Sequence, residues 1–189
     1  AIKPAIDEVK VFKDFDLATI AEYIDWGPFF IGWEMPGKFP AVLTDKTFGT
    51  EATKLYNDAQ HLLEKIIKNH WFTAKGVIGF WAAKSNNRDT VILQTKDGEV
   101  NLEFLRQQSK KAQGQSNFSL ADFVSPAGED FVGAFAVTID GARKYIDQFA
   151  KDNDDYNKIM VQILADRMVE AFAECLHKKV RTEYWGYAN

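Results

Sequence analysis

The sequence predicts an α+β protein: a bent antiparallel β-sheet flanked by helices, in a single domain spanning 1–189. Three observations carry that expectation. Apolar residues recur at helical spacing over Thr50 to Lys68 and Asp155 to Glu183. Between these stretches the period shortens to that of strands joined by tight turns. Strands and helices occur in separate runs, which argues against a parallel βαβ sheet.

Taking the elements in order, Asp16 to Tyr23 reads as a short helix, with Leu17, Ile20, Ala21 and Ile24 on one face and Asp16 placed to cap it. Gly27-Pro28 then stops the helix, because a proline disfavours the α region for the residue before it. Over Thr50 to Lys68 the residues Ala52, Leu55, Tyr56, Ala59, Leu62, Leu63, Ile66 and Ile67 recur at helical spacing, while Glu51, Lys54, Asp58 and Lys65 take the other side. Gly76 to Ala83 is a strand, Ser85 to Asp89 a turn, Thr90 to Thr95 a strand, Lys96-Asp97-Gly98 a tight turn, and Glu99 to Phe104 a further strand. Connections this short imply antiparallel pairing. Asp130 to Thr138 is apolar almost throughout and is expected at the centre of the sheet. Helices over Gly141 to Lys151 and Asp155 to Glu183 close the chain.

Composition narrows the function. With 189 residues the chain can bury one sizeable core, or at most two small ones, and 27 acidic against 23 basic residues leave a formal charge of -4. That balance disfavours a nucleic-acid binder, which needs a basic surface for phosphates. Lys178, Lys179 and Arg181 form the densest basic cluster and read as a helix C-terminus. Cys175 is the only cysteine, so no internal disulfide forms, and the expected setting is a reduced cytoplasm. No run approaches the ~20 apolar residues of a membrane helix. His61, His70 and His177 lie far apart without a metal-ligand spacing, and neither a Gly-x-Ser-x-Gly elbow, a P-loop nor a Gly-x-Gly-x-x-Gly turn is present.

Two features bear on ligand chemistry. On the last helix, Met160, Val161, Leu164, Ala165, Met168, Val169, Phe172, Cys175 and Leu176 form a broad apolar face, with Asp166, Glu170, Glu174 and His177 opposite. Asp166 and Glu170 stand at i, i+4, where like charges repel by a few tenths of a kcal/mol and an intervening cation would relieve them. This is either a solvated helix face or a cation-friendly stripe. Asp25 precedes Trp26-Gly27-Pro28-Phe29-Phe30 and suits either a cap or an anchor for an ammonium group, just as the aromatics, Trp33 included, suit either core or ligand platform.

Read as strings, several segments are similar to those of one family. They are Asp25-Trp26-Gly27-Pro28-Phe29-Phe30, Leu105-Arg106-Gln107-Gln108, Leu120-Ala121-Asp122-Phe123-Val124, Gly133-Ala134-Phe135-Ala136-Val137-Thr138, Asp154-Asp155-Tyr156-Asn157-Lys158-Ile159-Met160-Val161 with Leu164-Ala165-Asp166-Arg167 and Glu170-Ala171-Phe172-Ala173-Glu174 after it, and Tyr184-Trp185-Gly186-Tyr187-Ala188. In this order they resemble the S-adenosylmethionine-binding reactivation domain of cobalamin-dependent methionine synthase. The resemblance implies a methyltransferase module that presents S-adenosylmethionine to inactive cob(II)alamin. Its partners would be the enzyme's own cobalamin-binding domain, which carries the cobalamin, and a flavodoxin-type electron donor. It also implies that Asp25 holds the cofactor's ammonium, that Glu170 is a second acidic contact, and that Asp166 faces the docked cobalamin domain. The family's Arg-x-x-x-Gly-Tyr loop is missing before the sequence ends at Asn189. The S-adenosylmethionine site is therefore expected to be incomplete, and this piece to bind the cofactor weakly and to be inactive alone. Alternative roles are a non-catalytic docking domain for a cobalamin-binding partner, or a free-standing reactivating protein of another corrinoid enzyme.

Overall fold

The computed structural model describes residues 1–6, 9–128 and 130–188. In chain order the elements are β1 (Lys10–Phe15), α1 (Leu17–Ala21), α2 (Gly27–Gly32), α3 (Gly49–Lys68), β2 (Thr73–Ser85), β3 (Thr90–Thr95), β4 (Gly98–Glu103), β5 (Asp130–Asp140), α4 (Ala142–Lys151) and α5 (Asp155–Lys179). Short 3-10 turns lie at Ala41–Thr44 and Leu120–Phe123, and Val180–Tyr184 continues α5 as a π-helical turn. The strands form one five-stranded sheet ordered β1-β2-β3-β4, with β5 on β2. The β2–β3 and β3–β4 pairs are antiparallel, with Ala83 opposite Leu93 and Ile92 opposite Asn101. The α+β class is thus as the sequence predicts.

Chain contacts divide into two compact units. The first comprises Val11–Val77 and Ala136–Lys178. Its core is built from the apolar stripes of α3 and α5: Ala52, Ala59 and Ile66 from one, and Met160, Leu164, Met168 and Phe172 from the other, are all fully or almost fully buried. Asp16 caps α1, accepting hydrogen bonds from the backbone N–H groups of Ala18 and Thr19. Gly141 opens α4 at φ 100°, a left-handed conformation, and a Cβ there would stand 2.4 Å from the Trp71 carbonyl oxygen. Only glycine meets both demands. Trp71 and Tyr145 stack nearly parallel, 4.1 Å between centroids.

The second unit comprises Ala1–Lys10, Ile78–Phe135 and Lys179–Asn189. Ala83, Val91, Leu93 and Ala121 form its buried cluster, with Trp81, Leu102 and Val132 packed on it. Outside the strands, an ionic hub organises the 105–125 stretch. The Arg106 guanidinium reaches Asp122 through Nη1 at 2.6 Å and Nη2 at 2.7 Å, Asp89 through Nε at 2.8 Å, and the Asn117 carbonyl through Nη1 at 2.8 Å. Asp122 also accepts the Ser119 backbone N–H and closes a capping box on the Leu120–Phe123 turn. At the chain's ends, the Ala5 N–H donates to the Tyr184 carbonyl and Trp185 Nε1 donates to the Ile2 carbonyl. Trp185 packs edge-on to Phe80, and the close approach leaves no room for a side chain at residue 133, where Gly133 stands.

Two expectations need correction. Pro28 does not keep Gly27 out of a helix: Gly27 opens α2, with proline in the first turn, where its missing N–H would have found no partner anyway. Nor is the Asp130 to Thr138 strand central. Among the described strands β5 pairs only with β2, and Gly133, Ala134, Phe135 and Ala136 in its middle are exposed. The apolar run misled because three of those four residues are Gly or Ala, which gain little from burial.

Candidate functional site

Asp25 lies between α1 and α2, exposed, with its Oδ1 accepting the Gly27 backbone N–H at 2.9 Å. The acid therefore closes an Asx turn at the start of α2. Its Oδ2 takes no hydrogen bond among the described residues, so the capping role leaves half of the carboxylate for another partner. Of the neighbouring aromatics, Phe29 and Phe30 are fully buried and are core. Trp26 is half-buried beside the acid, edge-on to Phe29 at 5.2 Å and to Tyr56 at 5.0 Å.

The α5 stripe is as its periodicity predicts. Met160, Val161, Leu164, Met168, Phe172, Cys175 and Leu176 are buried, while Asp166, Glu170, Glu174 and His177 are exposed. Asp166 and Glu170 lie one turn apart, about 6 Å along the axis. Asp25, Asp166 and Glu170 all belong to the same compact unit. Among the described residues no lysine or arginine forms an ion pair with any of the three. Their charges are therefore not neutralised internally, and a cation approaching them displaces no existing pair.

One arrangement in this unit escaped sequence reasoning. Tyr156, at the start of α5, donates its hydroxyl to Asp58 Oδ2 of α3 at 2.8 Å and packs on Trp33 with centroids 5.2 Å apart. Desolvation, reinforced by Asp58, pushes the Tyr156 phenol up to about 12. Trp33 Nε1 is buried with no hydrogen-bond partner among the described residues. Just ahead, Asp154 accepts the Asn157 side-chain amide at 2.7 Å and its backbone N–H at 3.0 Å, which holds the Asp154 carboxyl below its usual range. The Asp-Asp-Tyr-Asn string thus encodes a helix start and a tie between α5 and α3. Its only signal in the sequence was the string itself, since Asp58 lies 98 residues away.

Cys175 is buried, as a small apolar residue on the inner face of α5. Among the described residues no three His, Cys, Asp or Glu side chains converge as metal ligands, and no helix is long and apolar enough to cross a membrane.

Fold and site together define an α+β module with open carboxylates on a turn, Asp25, and on a helix, Asp166 and Glu170. The family model described as the activation domain of vitamin B12-dependent methionine synthase matches residues 16–189, and the chain belongs to that family. It is also similar to a solved structure of the MetH reactivation domain bound to AdoHcy, at 38% identity and a TM-score of 0.91, over 98% of this chain and 59% of that one. The chain thus spans less than two thirds of the length of that relative.

Proposed function

We propose that this chain works in the cytoplasm as the reactivation module of a cobalamin-dependent methionine synthase, a methyltransferase, presenting S-adenosylmethionine for reductive methylation of cob(II)alamin carried by a neighbouring domain. The electron comes from a flavodoxin-type donor. The observation that carries this reading is the set of exposed acids without an internal counter-ion, Asp25, Asp166 and Glu170, in one unit of a chain 38% identical to a reactivation domain bound to AdoHcy.

The chemistry of these residues suits the ligand. S-adenosylmethionine carries its transferable methyl on a positive sulfonium and bears an ammonium on its amino-acid end. A carboxylate about 4 Å from such a charge gains roughly 1 kcal/mol in water and about 4 kcal/mol where water is partly excluded. In this reading Asp25 holds the ammonium, Glu170 is the second acidic contact, and Asp166 faces the docked cobalamin domain. None of them exchanges a proton or forms a bond: they bind and orient, and the module contributes positioning.

The test is a reactivation assay in the full natural polypeptide, loaded with cob(II)alamin and given S-adenosylmethionine and a reductant. Asp25→Asn and Glu170→Gln are expected to raise the S-adenosylmethionine concentration needed for half-maximal methylation by roughly 3–10-fold. Unchanged dependence in both variants would refute the assignment of these acids.

A further inference from the structure

We propose that Tyr156 is a positioning residue of the site: its ring seats Trp33, and through Trp33 it sets where α2 lies along α5, and so how far Asp25 stands from Glu170. This rests on the reading of Asp25 and Glu170 as the two acids that hold one cofactor.

Two contacts between α2 and α5 carry the inference. Gly32, the last residue of α2, lies against Ile163: a Cβ built there would stand 3.2 Å from Ile163 Cδ1, and its three nearest atoms all belong to that side chain. Trp33, the next residue, packs on Tyr156, two turns earlier in α5, with ring centroids 5.2 Å apart. α2 therefore ends toward the start of α5, and its own start faces the later turns. Gly27 stands five residues before Gly32, about 7.5 Å of helix. Five residues beyond Ile163 is Met168, between Asp166 and Glu170. Phe29 and Phe30, fully buried, anchor the inner face of α2 in the core. The Trp33 indole has only its packing to hold it, because Nε1 is buried with no hydrogen-bond partner among the described residues. Tyr156 is fixed at its far end by the hydroxyl it donates to Asp58 Oδ2 at 2.8 Å. An anchored phenol beside an unanchored indole makes Tyr156 the fixed member of the pair. At 41% exposure it adds little to the core, so its tie to Asp58 serves placement more than burial.

Affinity for S-adenosylmethionine in the full natural polypeptide separates placement from stability. Tyr156→Leu is expected to weaken binding by roughly 5-fold, and Tyr156→Phe, which keeps the ring and loses the tie to Asp58, by about 2-fold. Tyr156 acts through the placement of Asp25. Asp25→Asn combined with Tyr156→Leu is therefore expected to bind no more weakly than Asp25→Asn alone, whereas a purely structural loss would add. The same cycle run with Tyr156→Phe decides the case if Tyr156→Leu does not fold. In the 189-residue chain, the Trp33 indole N–H resonance is expected to move in Tyr156→Leu. Losses that add in the double variant overturn the positioning role and leave the reading of Asp25 standing. So does parental affinity in the Tyr156 variants beside weakened binding in Asp25→Asn. Parental affinity in Asp25→Asn overturns the two together. A Trp33 resonance unmoved by Tyr156→Leu removes the seat itself.

Discussion

Arg106 grips both carboxylate oxygens of Asp122, at 2.6 and 2.7 Å, and in doing so joins the end of the β4 segment to the Leu120–Phe123 turn 16 residues later. The same guanidinium takes Asp89 and the Asn117 carbonyl, so a single side chain ties together four points of the chain. A planar fork is required for this, and lysine offers only a point charge. Arg106→Lys is therefore expected to behave almost as badly as Arg106→Ala, each lowering the thermal midpoint by about 3–8 °C. Differential scanning calorimetry checks this, and full recovery by lysine would count against the fork.

The pairing also sets an acid limb. Hydrogen bonds from Arg106, and then from the Ser119 N–H, hold Asp122 down at about 2 against an ordinary 3.8. The unfolded chain takes up this proton first as pH falls, so the contribution is complete above pH 3.8 and is lost on descending through about 2. Urea midpoints measured across that interval are expected to fall less steeply in Asp122→Asn than in the parent. Parallel slopes would show that the acid limb lies elsewhere, for instance at Asp16 or Asp140, whose carboxyls are also held low.

Gly141→Ala is expected to destabilise the protein by about 1–3 kcal/mol, because the new side chain meets both a positive φ and the Trp71 carbonyl. Denaturant unfolding measures the loss, and an unaffected variant would mean the α4 start can be rebuilt.

Tyr156 gives an optical readout. With the phenol pushed up to about 12 by burial and by Asp58, absorbance titration is expected to find one tyrosine ionising well after the ordinary value of 10. The folded pKa is raised, so this tyrosine's contribution is intact below pH 10 and disappears as pH rises through about 12. Asp58→Asn is expected to bring the late ionisation part of the way back, since desolvation, the larger cause, remains.

Long elements were legible from sequence because their signal is local and repeated. The stripes of α3 and α5 recur over many turns, and the exposed acids of α5 follow from the same periodicity. Short elements were not. In β1, Lys10–Phe15, four of the six residues are exposed, so no buried face imprints a pattern. Gly27-Pro28 reads as a helix stop because Gly-Pro ends helices more conspicuously than it begins them, yet residues 27–32 form α2, with proline tolerated in its first turn. The ties of Arg106 to Asp122 and of Tyr156 to Asp58 span 16 and 98 residues and have no periodic trace. At the site, Asp25 was legible as an acid beside aromatics. The Asp-x-Gly spacing also held its Asx turn, a local signal that was there to be read.

Asp25, in the turn before α2, and Glu170, on the open side of α5, are the two acids proposed to hold one bound cofactor. An amide chemical-shift titration of the 189-residue chain with S-adenosylmethionine, carried to millimolar concentration, tests this directly. Resonances of residues 25–27 and of Glu170 with its immediate neighbours are expected to move together along one saturable curve. Shifts confined to one of the two stretches, or two curves with different midpoints, would contradict it.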